Sequence, residues 1–317
     1  MATFCGTRYL EKQLQSLVRQ TRLPYELIVC DDQSSDDTVQ LLERFRAEAP
    51  FIVRVVVNEK NIGATRNFDR AMRLAVGEYI ALCDQDDIWL PDKLKTVVEH
   101  LEANPEAGGV FSDALLIGED GRPIRGGVSG ATTLWKLHRF STRKQNAFRD
   151  GNACRVLLRH TIVTGATLVV RRELRLLWQP MPESWVHDAW MAWMLVLYSR
   201  LDALPEPLIA YRLHSEQQLG VSRQKQLIVT GQHVETERER CRRVAAQIDE
   251  LCQYVEQHPC AIAGLQNRLQ RKAEFMRMRS ELSTNVLFRG MQIACSSLLY
   301  RRYARGIRSQ MKDVFLT

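Results

Sequence analysis

The sequence of 317 residues lacks the paired cysteines and the cysteine–histidine spacings of disulfide-rich and zinc-binding proteins. Its eight cysteines are scattered, and none forms a C-x-x-C pair. Cys30 and Cys83 fall inside predicted strands, where a thiol behaves as a small apolar group. The cysteine pattern therefore argues against a disulfide scaffold or a zinc finger, and it predicts a reducing compartment, the cytoplasm.

Long hydrophobic runs are also missing. No stretch of about 18 uncharged apolar residues occurs, so we expect no membrane-spanning helix. The first residues lack the basic and apolar regions of a signal peptide. The chain has no P-loop, no G-x-G-x-x-G after a strand and no G-x-S-x-G, which excludes the enzyme classes built on those motifs.

Positive charge is concentrated in the last third of the chain. Residues 223–317 hold 17 Lys and Arg against 9 Asp and Glu, whereas residues 1–222 hold 27 against 28. The formal net charge of +7 therefore belongs to the C-terminal part. This asymmetry predicts a boundary near residue 222 and an anionic partner for the tail.

Predicted helices and strands alternate over the first hundred residues. Helices are expected at 9–21, 34–50, 63–77 and 91–104, and strands at 26–32, 52–59 and 78–87. This order predicts a mainly parallel sheet with helices on both faces. Only "MATFC" is left for a first strand of about five residues. We expect that strand to be a stub or to have been shortened by a late start site.

The rest of the chain is less regular. A strand and hairpin with a D-G turn are expected at 108–124, and a mobile loop at 125–155. A strand pair or a strand and helix follow at 161–178, then a helix at 183–200 and a strand at 201–214. Beyond residue 222 the pattern is helical.

Acidic residues follow two of the predicted strands. Asp31 and Asp32 follow one strand, and Asp84, Asp86 and Asp87 lie in "LCDQDDIWLPDKL" after another. Since parallel strands end at the same edge of a sheet, both groups should lie at one rim. They could simply cap the helices that follow. Alternatively, Asp84, Asp86 and Asp87 could bind Mg²⁺ or Mn²⁺ with a diphosphate, since both ions prefer oxygen ligands. Asp31 and Asp32 could then contact a nucleoside.

Five stretches together resemble family 2 glycosyltransferases of the GT-A fold, in particular bacterial rhamnosyltransferase-like members. They are "MATFCGTRYLEKQLQSLVRQT", "LIVCDDQSSDDT", "NIGATRNFDRAM", "GEYIALCDQDDIWLPDKL" and "HDAWMAW". Two later stretches, "PEPLIAYRLHSEQQLG" and "LLYRRYARGIRSQMKD", resemble the same family. The chain departs from its pattern at Phe4 and Cys5, where the family usually has Tyr and Asn, and in the short first strand.

The resemblance implies inverting transfer of a sugar from a nucleoside diphosphate donor. It places Thr3, Asp32 and Arg66 at the nucleotide, and maps the family's D-x-D motif to Asp84 and Asp86. It implies Asp86 as the metal ligand, with Asp84 near the ribose or just outside the direct ligands of the metal. It implies Asp188 as the catalytic base.

Asp188 also suits a base by its own surroundings. Inverting displacement needs a carboxylate that takes the acceptor's proton, and bulky Trp185, Trp190 and Trp193 near Asp188 should raise its pKa by desolvation. A helix cap or a salt bridge is the alternative role. His214 is either structural or a contact to the diphosphate or metal. Gly165 should allow close backbone approach in an acceptor cleft, where Trp185 and His187 could also contact the acceptor.

The sequence therefore predicts an α/β GT-A domain, Rossmann-like, over 1–222 and a basic helical extension over 223–317. The nucleotide-sugar half should cover about 1–107 and the acceptor half about 108–222. The expected donor is dTDP-rhamnose or a UDP-sugar, and the expected acceptor a surface glycan or lipid-linked glycan. The amphipathic, basic segment 286–312 could contact the inner face of the cytoplasmic membrane or pack on the catalytic domain. We expect no nucleic-acid partner. The alternative is a catalytically degenerate domain that binds a membrane or a glycan.

Overall fold

A computed structural model describes residues 1–124, 132–214, 235–283, 285–304 and 306–314. The chain divides into two compact units. Among the described residues, the first unit contains 1–124, 132–153 and 162–214, and the second contains 154–161 and everything from 235 onward. Residues 154–161, which the sequence assigned to the first domain, thus belong to the second unit. The predicted boundary at residue 222 lies outside the described residues.

The first unit begins with three strands that alternate with three helices, which confirms the predicted α/β order. Strands β1, β2 and β3 pair in parallel in that order, and Ala2 and Thr3 of β1 lie opposite Cys30 and Asp31 of β2. The elements are β1 Ala2–Thr3, α1 Thr7–Val18, β2 Glu26–Asp31, α2 Thr38–Glu48, β3 Ile52–Val57 and α3 Ala64–Leu74. Strand β2 reads as a continuous apolar run because it is buried on both faces.

A second sheet of five strands completes the unit in the order β4-β7-β6-β8-β5. Its strands are β4 Tyr79–Ala81, β5 Ile88–Trp89, β6 Gly109–Ile117, β7 Leu168–Arg171 and β8 Leu201–Arg212. Only β6 and β8 pair in parallel, and the other three pairings are antiparallel. The strand predicted over 78–87 was too long, since β4 ends at Ala81. Residues 82–87 instead form a loop to which Arg212 at the end of β8 is hydrogen bonded.

Helices also occupy part of the segment that the sequence predicted as a mobile loop. They are α5 Leu134–His138, α6 Thr142–Arg149 and α7 Ala153–Leu157. The Thr133 side chain caps α5, and the carboxylate of Asp113 accepts the Trp135 N–H at 2.9 Å. Aromatic side chains from β6, α5 and α6 pack together around Phe111. The rest of the predicted loop, 125–131, lies outside the described residues.

Two further helices of the first unit carry site residues. Helix α4 covers Lys93–Ala103, and helix α8 covers His187–Tyr198. A 3-10 turn at Gly165–Thr167 leads into β7, and a second 3-10 segment at Arg172–Leu177 follows it. Helix α8 is apolar on nearly every side, which matches its buried position.

The second unit is helical, as predicted. Its helices are α9 Glu237–Gln257, α10 Leu265–Ser280, α11 Val286–Cys295, α12 Ser297–Tyr303 and α13 Ile307–Val314. Helix α9 starts with a capping box between Thr236 and Glu239. None of the helices within the described ranges is long and apolar enough to cross a membrane.

A cavity of about 660 Å³ lies between β2 and β4 in the first unit. Its walls are largely apolar and include Met1, Ile28, Phe68, Ile80 and Trp89. None of the carboxylates predicted for the site lines it. The acidic residues lie instead at the carboxyl ends of β2 and β4.

Candidate active site

Asp31 fixes the loop that follows β2. Its Oδ2 accepts hydrogen bonds from Thr3 Oγ1 and from Ser34 Oγ, both at 2.7 Å, and its Oδ1 accepts the Ser34 N–H at 2.8 Å. Asp31 is fully buried and Thr3 is 2% exposed. Thr3, predicted at the nucleotide, therefore directs its hydroxyl to Asp31.

Asp32 organises the turn that leads into α3. Its Oδ1 accepts from Asn58 Nδ2 and from the Ile62 N–H, and its Oδ2 accepts the Gly63 N–H, all at 2.8 Å. A carboxylate has about four acceptor positions. Three are filled by the chain, so Oδ2 retains room for one donor from a ligand such as a base N–H.

The loop after β4 holds the beginning of the chain. Gln85 Oε1 accepts the Phe4 N–H at 2.9 Å, and Gln85 Nε2 donates to the Phe4 carbonyl at 3.1 Å. Gly6 lies against the same amide, because a Cβ there would come within 2.4 Å of Gln85 Oε1. The middle residue of Asp84-Gln85-Asp86 thus joins the loop after β1 to the loop after β4, while Asp84 and Asp86 stay half-buried on either side.

Asp86 pairs with His214. Its Oδ2 lies 2.8 Å from His214 Nε2, and the His214 ring packs against Tyr9 with the ring centroids 4.8 Å apart. Arg212 anchors the same loop: its Nε donates to the Asp86 carbonyl at 2.7 Å, and its N–H donates to Asp87 Oδ1 at 2.9 Å. The end of β8 therefore sets the position of Asp86.

Negative charge accumulates at this rim. Burial, then the charges of Asp86 and Asp188, raise the pKa of Asp84 to about 7. Burial, then the charges of Asp86 and Asp84, raise the pKa of Asp87 well above its usual range. Because the charge of Asp188 acts on Asp84, the D-x-D segment and the first turn of α8 belong to one electrostatic site.

Lys93 is a cation beneath the acids. It is fully buried at the start of α4, and its Nζ donates to the Ala166 carbonyl at 2.6 Å and lies 3.8 Å from the Trp89 ring centroid. Burial lowers the pKa of Lys93 to about 8, against the opposing effect of Cys83, Asp87 and Asp84. Lys93 therefore couples the acidic loop to the Gly165–Thr167 turn.

The same turn orients Asp188. The Gly165 N–H donates to Asp188 Oδ2 at 2.9 Å. A Cβ at Gly165 would come within 2.8 Å of His187 Nε2, so the close approach that the sequence predicted for this glycine is made by His187. His187 is buried and stacks on Phe68 with the ring centroids 4.1 Å apart, and burial lowers its pKa.

The remaining predicted residues lie around α8. Trp185 is 6% exposed and packs on Trp190, so it belongs to the core, and its carbonyl accepts from Thr65 Oγ1 at 3.2 Å. Arg66 is exposed and forms an ion pair with Glu183. Thus α3 contacts the segment before α8 through two neighbouring residues.

The acids suit a hard divalent cation only in part. Among the described residues, no group of three His, Cys, Asp and Glu side chains is arranged to hold a metal ion. Asp84, Asp86 and His214 therefore do not form a complete three-ligand site by themselves. Two carboxylates are what Mg²⁺ or Mn²⁺ takes from a protein when phosphates complete the shell.

Sequence reasoning missed Gln85, Lys93 and Arg212 as organisers of the site. Gln85 and Lys93 stand inside or next to the acidic stretch, but their partners Phe4 and Ala166 are 81 and 73 positions away. Arg212 lay in the quoted "YRLH", where its spacing from the acids gave no signal. Only the fold brings these pairs together.

Comparisons with known proteins identify the family and the fold. The family model "Glycosyl transferase family 2" matches residues 1–164. A dTDP-rhamnosyl transferase, RfbG of Shigella flexneri, is 34% identical over 108 residues, covering 33% of this chain and 37% of the relative. An uncharacterized Mycobacterium tuberculosis protein is 36% identical over 115 residues, which is 36% of this chain and 33% of that protein. The chain thus matches about a third of the length of these curated relatives.

Two solved structures share the fold at low sequence identity. TarS 1–349 of Staphylococcus aureus superposes with a TM-score of 0.57 at 16% identity, covering 95% of this chain and 79% of that one. The mannosyltransferase PcManGT of Pyrobaculum calidifontis gives 0.56 at 17% identity, covering 94% and 73%. The chain therefore has the GT-A fold. It belongs to glycosyl transferase family 2.

Proposed function

We propose that the protein transfers a sugar from a nucleoside diphosphate donor to an acceptor hydroxyl, with inversion, and that Asp188 is the base. One observation carries the proposal: Asp188 is oriented by the Gly165 N–H and lies close enough to Asp84 for its charge to raise the pKa of Asp84. This supports a site in which a base and an acid beside the diphosphate would lie together, as a one-step displacement requires.

The donor would lie along the loops after β1, β2 and β4. Asp32 retains one acceptor position for a base N–H, and Asp84 lies at the adjoining strand end. The exposed Arg66 guanidinium could exchange Glu183 for a phosphate. Thr3 would act through Asp31, by fixing the loop rather than by touching the nucleotide.

Asp86 would hold a Mg²⁺ or Mn²⁺ ion, with Asp84 beside it and His214 in reach. The His214–Asp86 hydrogen bond of 2.8 Å would hold the Asp86 carboxylate in a fixed orientation. A cation would also relieve the repulsion from Asp86 and Asp188 that contributes to the raised pKa of Asp84. When bound, such an ion neutralises charge on the diphosphate leaving group. PcManGT, whose solved structure contains GDP-Man and Mn²⁺, supports this assignment as a fold relative.

In the transfer step, Asp188 would take the proton of the acceptor hydroxyl as that oxygen attacks the anomeric carbon. The bond from that carbon to the diphosphate oxygen breaks, and the diphosphate leaves with its electron pair. Gly165 and His187 would form the wall of the acceptor cleft, with Trp185 supporting it from the core.

The choice of donor sugar is supported by relatives. A dTDP-sugar, with dTDP-rhamnose first, is supported by the name of the Shigella flexneri relative, and a UDP-sugar by the TarS structure solved with UDP-GlcNAc. We propose a cell-surface glycan or a lipid-linked glycan as acceptor, used at the inner face of the cytoplasmic membrane.

Release of nucleoside diphosphate from a panel of dTDP-, UDP- and GDP-sugars, with Mn²⁺, Mg²⁺ or EDTA, tests the proposal. We expect turnover of one nucleotide class, loss with EDTA, and loss in Asp86→Asn. Asp120→Asn, in an exposed turn, is the matched control and should keep full activity. A folded protein that turns over no donor in the panel would support the degenerate binding domain instead.

A further inference from the structure

Helix α11 of the second unit exposes large apolar side chains and buries an arginine. Leu287, Phe288 and Met291 are 83%, 59% and 65% exposed, whereas Arg289 and Ile293 are 5% and 4% exposed. In a helix at the surface of a globular protein, the apolar face is normally the buried one. Here the helix exposes its apolar face, and its arginine lies against the unit.

The next helix, α12, also exposes a large apolar residue. Leu298 is 78% exposed, while Tyr300 and Tyr303 of the same helix are buried and pack on Phe275. The two helices therefore have core contacts of their own, and the exposed side chains are additional to them. We define the apolar surface as Leu287, Phe288, Met291 and Leu298. An exposed patch of this kind marks a binding surface.

Charge distinguishes the partner. No Asp or Glu occurs between Glu281 and Asp313, and the segment between them holds six Lys and Arg. Arg301 and Arg302 are exposed and follow directly after the apolar residues of α12. A protein partner for an apolar face needs no such cationic border, whereas anionic lipid headgroups are attracted to one.

We propose that α11 and α12 lie in the plane of an anionic membrane surface. The apolar surface would enter the boundary between headgroups and acyl chains, and the guanidinium groups of Arg301 and Arg302 would contact lipid phosphates. Ten residues in α11 are too few to span a bilayer. The proposal does not depend on the donor chemistry, so its test can fail or succeed separately from the test of transferase activity.

Flotation of the full chain with lipid vesicles tests this contact. One set contains phosphatidylcholine alone. The other contains phosphatidylcholine with about a third of the lipid as phosphatidylglycerol. We expect binding to the anionic vesicles and little to the neutral ones. Binding should weaken as salt rises, since the attraction is screened.

Two variants separate the apolar and the charged contributions. Leu287→Gln/Phe288→Gln/Met291→Gln should reduce the partition coefficient at least about tenfold, since three large apolar groups no longer enter the lipid. Arg301→Gln/Arg302→Gln should reduce it about 25-fold, or about fivefold for each arginine. The matched control is Leu23→Gln/Val76→Gln/Leu176→Gln, which changes three exposed apolar residues of the first unit and should float like the parent.

Circular dichroism and thermal unfolding confirm that each variant is folded. Equal flotation of parent and variants, or equal binding to neutral and anionic vesicles, would overturn the proposal. So would a concentration-dependent dimer that the triple Gln variant abolishes while the parent fails to float. That outcome would assign the apolar surface to a second copy of the chain.

Discussion

The Gly165 N–H donates a 2.9 Å hydrogen bond to Oδ2 of Asp188. This bond joins the 3-10 turn before β7 to the first turn of α8. The turn is held from the opposite side by Lys93, whose Nζ donates to the next residue, Ala166. The proposed base is thus oriented by a backbone group that a buried cation keeps in place.

Lys93→Met should separate this orienting role from donor binding. Because the Gly165–Thr167 turn loses its anchor, we expect kcat to fall on the order of 10- to 100-fold with little change in the donor KM. The free energy of unfolding should fall by about 2 kcal/mol, since a buried charged hydrogen bond is lost. Lys95→Met, on an exposed position of the same helix, is the control. Equal losses in kcat and donor affinity would show that Lys93 supports the donor site instead.

Gly165→Ala should clash with His187. A Cβ at Gly165 would come 2.8 Å from His187 Nε2, and that ring is fixed by its stacking on Phe68. We expect the free energy of unfolding to fall by about 1–3 kcal/mol, as for other overpacked cores. The double variant Gly165→Ala/His187→Ala should lose less than the sum of the two single variants, as contacting residues do. Strict additivity in chemical denaturation would mean that the two residues do not contact each other.

Glu237 should make the second unit sensitive to acid. Burial alone would raise the pKa of Glu237, but the hydrogen bonds and positive charges of Arg240 and Lys312 outweigh it and lower the pKa to about 2. A lowered carboxyl pKa stabilises the fold above the ordinary value of 4.5, and that stability is lost as the pH falls from there towards 2.

Glu237→Gln tests this linkage by urea unfolding at several pH values. The variant should lose about 3 kcal/mol at pH 7, because Arg279 is left with one acidic partner fewer in a buried cluster. The difference from the parent should shrink below about pH 4, as the parent's carboxylate is protonated. A difference that does not change with pH would exclude an ionic role for Glu237.

The sequence was sufficient where the structure depends on local pattern. The apolar run of β2 and the helical spacing of Leu10, Leu14 and Leu17 in α1 predicted both elements near their observed bounds. Prediction from sequence failed where contacts between distant residues determine the local structure. Residues 82–87 leave the sheet because Gln85 and Arg212 bind chain segments more than 80 positions away. Helix α5 forms in a polar stretch because Asp113 of β6 accepts the Trp135 N–H.

The contacts of the predicted site residues also depend on the fold, and the roles of these residues stay predictions. Asp84, Asp86 and His214 meet at one rim, where the strand ends and the Y-R-x-H stretch predicted them. Thr3 and Asp32 instead use most of their hydrogen-bonding capacity within the chain. The hydrogen bonds of Thr3 and Asp32 could not be predicted from spacing, because they depend on which groups the folded chain brings next to these side chains.

The most direct test of the account is the rate of sugar transfer by Asp188→Asn, measured with a donor that the parent uses. Asparagine can still accept the Gly165 N–H but cannot take a proton at neutral pH, so the fold and the donor KM should persist. We predict that kcat falls by about 10²- to 10⁴-fold, the contribution of a general base. Transfer at the parental rate by a folded Asp188→Asn protein would contradict the assignment of Asp188 as the base.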